Sequence, residues 1–140
     1  MKTILGTSEQ VERAFYTAFA TCSVQEMDAV WDDDEAICIH PGAPALTGKT
    51  AVMNSWARIL SAGSAVEIEY ELIQRVEAEQ FAVHVVREIL TQNDGRIEVM
   101  ATNVYRCREG WWKMVEHHGS QAIARVKSMP SMPGAPQTLQ

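Results

Sequence analysis

Apolar residues recur every three to four positions early in the chain and every second position later on. Val11, Ala14, Phe15, Ala18 and Phe19 stand at i, i+3, i+4, i+7 and i+8, one face of a helix over about 8–22. Thr7 or Ser8 can cap it; Val11, three residues after Ser8, leaves no full capping box from Ser8. Ser23 caps a second, short helix with Met27, Val30 and Trp31 on its inner face, and the acidic run Asp32–Glu35 ends it. Ala36–Ile39 reads as a short strand, broken by His40-Pro41-Gly42-Ala43-Pro44. A third helix over about 49–62 carries Val52, Trp56, Ile59 and Leu60 on one side, and Gly63 closes it. From residue 65 the period changes to two. Val66, Ile68, Tyr70 and Leu72 alternate with Glu67, Glu69 and Glu71, a long half-buried strand. Gln80–Gln92, Arg96–Arg108 and Trp111–Ser120 follow as strands, the last with room to run on to Val126; Asn93-Asp94-Gly95 and Glu109-Gly110 supply the turns. Helices first and strands later predict an α+β domain, three helices packed on one face of a curved, mainly antiparallel sheet.

Composition narrows the partners. At 140 residues and 46% apolar, the chain can bury one core and is not a disordered polymer. Residues 1–127 read as that domain, and 128–140, uncharged with three prolines, as a flexible tail. Twelve basic against 18 acidic residues give a formal charge of -6, with no basic cluster, which speaks against nucleic acid and anionic membrane. No apolar run reaches the ~20 residues of a membrane span, and the N-terminal stretch lacks a signal-peptide core, so the chain reads as cytoplasmic. Cys22, Cys38 and Cys107 are odd in number and widely spaced, which suits reduced thiols better than disulfides or zinc. The acidic run Asp32–Glu35 reads as a solvated turn rather than a metal site. Gly42 and Gly48 are isolated and make no phosphate-binding loop, so no cofactor is expected.

Four strings occur in order across about 8–120: FYTAFATCSVQEMDAVWDDDEAICIHPG, LTGKTAVMNSW, ATNVYRCREGWWKMV and EHHGS. With the element order, they resemble the nuclear transport factor 2-like superfamily in its SnoaL-like branch, close to the ketosteroid isomerases. The resemblance implies a cystatin-like conical half-barrel with a pocket at its wide end. Helix one, the segment after the first strand and the inward residues of the long strands would line that pocket. It also implies a homodimer through the outer sheet face. The superfamily holds isomerases, cyclases, dehydratases and non-catalytic binding modules, so the fold alone does not name an activity.

The resemblance also points to site residues. His40-Pro41 stands where the steroid isomerases carry an Asp-Pro whose carboxylate is the general base, and an imidazole can serve as one. Asn103 stands where they carry a strand aspartic acid that donates to the oxyanion; an amide can also donate. Their helix-one tyrosine has two candidates. Helix phase favours Phe15, and a gap-free count back from His40 gives Tyr16. His118 shares strand parity with Trp112 and Met114, so it reads as inward and His117 as outward. A metal bound by His40 and His118 with Glu116 or Glu88 finds no support in ligand spacing. Arg87 and Glu88 interrupt an apolar strand, and alternation turns one of them inward. Arg87 can anchor a substrate carboxylate or pair with Glu69 or Glu98. Phe15, Trp31, Trp56 and Met114 would form the wall of a hydrophobic pocket suited to a flat ligand. Two functions are consistent with this: a dimeric module that binds a small hydrophobic molecule, and a cofactor-independent isomerase, cyclase or dehydratase with His40 as base.

Overall fold

A computed structural model describes residues 6–62, 66–93 and 95–122. The order is α1 (Ser8–Ala20), α2 (Val24–Val30), β1 (Ile37–Ile39), β2 (Leu46–Thr47), α3 (Lys49–Ser61), β3 (Glu67–Glu77), β4 (Phe81–Gln92), β5 (Gly95–Arg108) and β6 (Trp111–Gln121). The α+β reading and the helix-then-strand order hold. The two-residue β2 went unread because it is too short for periodicity to register. Helix one starts with a full capping box, but from Thr7 with Gln10. Ser23 caps α2 by accepting from the Glu26 N–H at 3.1 Å. Gly48 opens α3 at φ 92, where an L side chain would be strained, and its N–H bonds Ala36 O at 2.8 Å. Gly63, Asp94, the stretch to Val126 and the proline-rich tail lie outside the described residues.

The sheet order is β2-β1-β6-β5-β4-β3, antiparallel throughout except β1 with β6. The three helices cover one face. Phe15 sits at the centre of their core, its ring 4.8 to 6.4 Å from those of Tyr16, Phe19, Trp31 and Trp56. Strand β3 departs from the half-buried strand that its alternation predicts. Among the described residues it pairs only with β4, and Tyr70, Leu72, Ile73 and Val76 stay exposed along this edge. The acidic turn is not simply solvated either. Asp32 is buried, and one of its oxygens accepts from the Asp34 and Glu35 N–H groups at 3.1 and 2.9 Å. Arg106 and Arg108 pair with Glu35, and Lys49 pairs with Asp33 at 2.8 Å.

One irregularity controls the interior. Val104 pairs with Glu116 and Tyr105 with Met114, so Val115 is an extra residue in β6. A bulge shifts the alternation by one. Trp112 and Met114 point inward before it, and His117 and Gly119 after it.

Candidate functional site

The bulge corrects the histidines: His117 is buried and His118 is exposed on the outer face, the reverse of the parity reading. The inward residue of the β4 pair is Glu88. Arg87 points outward, bonds Glu71 at 2.7 Å, and is therefore no anchor inside the cone. Phe15 and Tyr16 are both buried, and Tyr16 carries its hydroxyl to Glu88. Trp31, Trp56 and Met114 are buried in the hydrophobic core. The indole N–H of Trp31 finds no acceptor among the described residues.

The cone interior is polar at its centre. Tyr16 donates to Glu88 Oε2 at 2.5 Å and accepts from Asn103 Nδ2 at 3.1 Å. Asn103 Nδ2 also reaches Glu12 Oε1 at 3.4 Å, which fixes the amide orientation, since a carboxylate needs a donor. Asn103 Oδ1 then faces His117 Nδ1 at 2.6 Å, so Nδ1 carries the imidazole proton and Nε2 is left as an acceptor. That Nε2 is 3.9 Å from Glu88 Oε2, too far for a direct hydrogen bond. Glu12 takes further donors, the Tyr105 hydroxyl at 3.2 Å and His84 Nδ1 at 2.8 Å. His84 Nε2 meets Ser8 Oγ at 3.2 Å. Asn103 therefore does sit at the centre of the interior, as its strand position implied.

Burial sets the protonation. It pushes the Glu88 carboxyl up to about 7; the Tyr16 hydrogen bond pulls it back in part, and the negative Glu12 raises it further. It drives His117 down to about 3, helped by the neighbouring His40 and His118, so the ring is neutral. Tyr16 and Tyr105 are held well above the usual phenol range, chiefly by burial.

His40 lies apart from this network, at the end of β1. Its Nε2 meets Ser55 Oγ at 2.8 Å and Cys38 Sγ at 3.7 Å, and its ring is 5.1 Å from that of Trp56. Burial lowers its basicity, and it raises the Cys38 thiol to about 12, which leaves that sulfur a poor nucleophile. Sequence reasoning missed Glu12, His84, Tyr105 and the inward role of His117. A signal existed for two of them: Glu12 stands one helical turn before Tyr16, and His84 shares strand parity with Glu88.

Residues 9–124 match the SnoaL-like domain family. The chain belongs to that family. Within it and the wider nuclear transport factor 2-like superfamily, the chain resembles a solved structure from Thiobacillus denitrificans, provisionally assigned as a calcium/calmodulin-dependent protein kinase type II association domain. Those two chains are 34% identical, with 86% of this chain and 99% of that one covered and a TM-score of 0.83. A provisionally assigned dehydratase of the NTF2-like family from Streptomyces avermitilis shares the fold at 23% identity, covering 83% and 94% of the two chains with a TM-score of 0.76. The F-box protein SKIP8 of Arabidopsis thaliana is 24% identical over 111 residues, 79% of this chain and 47% of that protein. This SnoaL-like chain thus spans about half the length of that curated relative. Among its described residues, no helix is long and apolar enough to cross a membrane.

Proposed function

We propose that the protein is a homodimeric SnoaL-like domain that binds a small molecule inside its cone. The observation that carries this reading is the polar centre itself. Tyr16, Glu88, Asn103 and His117 are all buried, where apolar side chains of similar size would fill the space at less cost. Polar groups converging inside an otherwise apolar interior are the arrangement by which a ligand site fixes orientation and specificity. The isomerase alternative is weaker, because its oxyanion donors are engaged. Tyr16 gives its proton to Glu88, and the Asn103 amide serves Tyr16 and Glu12. His40, the candidate base, is held by Ser55.

The outer sheet face supports the dimer. Val85, Met100, Thr102, His118 and Ser120 surround a hollow of about 150 Å³ there, an apolar and hydroxyl-bearing surface that a second copy can cover. The association-domain assignment of the Thiobacillus relative fits self-assembly. Sedimentation velocity tests this half of the reading and should give twice the chain mass; a monomer at micromolar concentration rejects it. A thermal-shift screen of small amines, alcohols, ketones and aromatic acids tests the other half. At least one class should stabilise the chain, and a flat response across all classes rejects binding.

A further inference from the structure

The interior donors and acceptors define the kind of molecule that fits. No Lys or Arg among the described residues is buried, and Arg87 is turned outward onto Glu71. A carboxylate or phosphate ligand would therefore enter the cone without a countercharge. The two interior carboxyl groups are unequally served. Glu12 has donors from His84, Asn103 and Tyr105, whereas Glu88 has a donor from Tyr16. His117 Nε2 offers a second lone pair, because Nδ1 is committed to Asn103. These acceptors lie 3.9 Å apart. An atom about 2.8 Å from both sees them at close to a right angle, within reach of two N–H bonds of one nitrogen. Two aromatic rings pack around the His117 ring: the centroids of Phe15 and Trp56 are 4.9 and 6.1 Å from its own.

We propose that the cone selects a small cationic amine, its ammonium group held by Glu88 Oε2 and His117 Nε2. This rests on the small-molecule-binding reading above and names the class of ligand. Binding places a positive charge beside a carboxyl group that is part-protonated near neutral pH, so it expels a proton. The titratable groups around Glu88 are Glu12 and Tyr16 from α1, Cys38 from β1, Tyr70 from β3 and His117 from β6. Tyr16, Tyr70 and Cys38 are raised and His117 is lowered, so the proton is assigned to Glu88, the carboxyl group beside the ammonium.

Benzylamine, benzyl alcohol and benzoate are matched probes of the three charge classes. Calorimetry on the full chain, in two buffers of different ionisation enthalpy, measures affinity and proton release together. Benzylamine should bind at least about tenfold tighter than benzyl alcohol, and benzoate weakest. Benzylamine should release about 0.5 proton per site at pH 7 and close to none at pH 8.5. Glu88→Gln should weaken benzylamine about tenfold or more and abolish the proton release, with a smaller loss for the uncharged benzyl alcohol. Proton release by the unmodified chain needs no variant to fold. Benzoate or benzyl alcohol binding as tightly as benzylamine overturns the amine class while small-molecule binding stands. So does benzylamine binding without proton release at pH 7. Failure of all three probes at millimolar concentration overturns the amine proposal, and the binding reading stands or falls on the wider screen.

Discussion

Replacing Glu88 with Gln should change how stability depends on pH. The substitution keeps the size and an oxygen acceptor for Tyr16, exchanges the other oxygen for an NH2 group, and removes the titration. In the folded chain Glu88 titrates at about 7, against an ordinary 4.5. Between those values the folded chain keeps a proton that the unfolded chain has released, so stability falls as pH rises. The full penalty above pH 7 is about 3 kcal/mol. His117 acts in the opposite direction. It titrates at about 3 when folded, against an ordinary 6.5, so the unfolded chain binds the extra proton and stability rises with pH across that range. From 4.5 to 6.5 the two slopes oppose each other, one proton each, and nearly cancel. Glu88→Gln removes one side of this balance. Relative to the native chain, the variant should gain about 1.4 kcal/mol per pH unit from 4.5 upward, reaching about 3 kcal/mol by pH 7. Urea denaturation followed by circular dichroism at half-unit pH steps measures the difference, and groups common to both chains drop out. Parallel curves, within about 0.5 kcal/mol of a constant offset from pH 4.5 to 7.5, would refute the buried, proton-retaining Glu88.

Further outcomes follow from the same contacts. Tyr16→Phe removes the hydrogen bond that lowers the Glu88 pKa, so a carbon-13 NMR titration of that carboxyl should move above the native value; no change or a fall contradicts the contact. Asn103→Leu strands the His117 N–H and withdraws a donor from Glu12 and Tyr16, and should cost about 2–4 kcal/mol in urea unfolding, against less than about 0.5 for an exposed residue outside the network. Val85→Glu puts a charge on the outer hollow and should halve the sedimenting mass; an unchanged dimer would move the interface elsewhere.

Much of the fold was legible because periodicity reports burial. The α1 apolar face, the change of period near residue 65 and the Asn-Asp-Gly and Glu-Gly turns each carry a local signal, and Glu109 and Gly110 do adopt the positive φ that such a turn needs. The centre of the site was legible only in part. Asn103 and Trp56 turn inward as strand alternation and helix phase predict, since both lie in unbroken periodic segments. His117 and His118 were exchanged because the bulge at Val115 depends on how β5 and β6 pair, a long-range property that no local pattern records. Tyr16 was hidden for a related reason. Apolar phase ranks a phenol as off-face, while in the folded chain its hydroxyl reaches Glu88, 72 residues away. Arg87 and Glu88 were equivalent by alternation, and Glu71 on β3 supplied the outward partner that separates them.

The binding role of the cone is tested most directly by NMR on the isotope-labelled full chain, following the Asn103 side-chain amide and the His117 ring during titration with benzylamine. Both signals should shift together and saturably, with the His118 ring on the outer face unmoved. Shifts confined to His118 and its neighbours in the outer hollow, with Asn103 and His117 unaffected, would contradict a ligand site inside the cone.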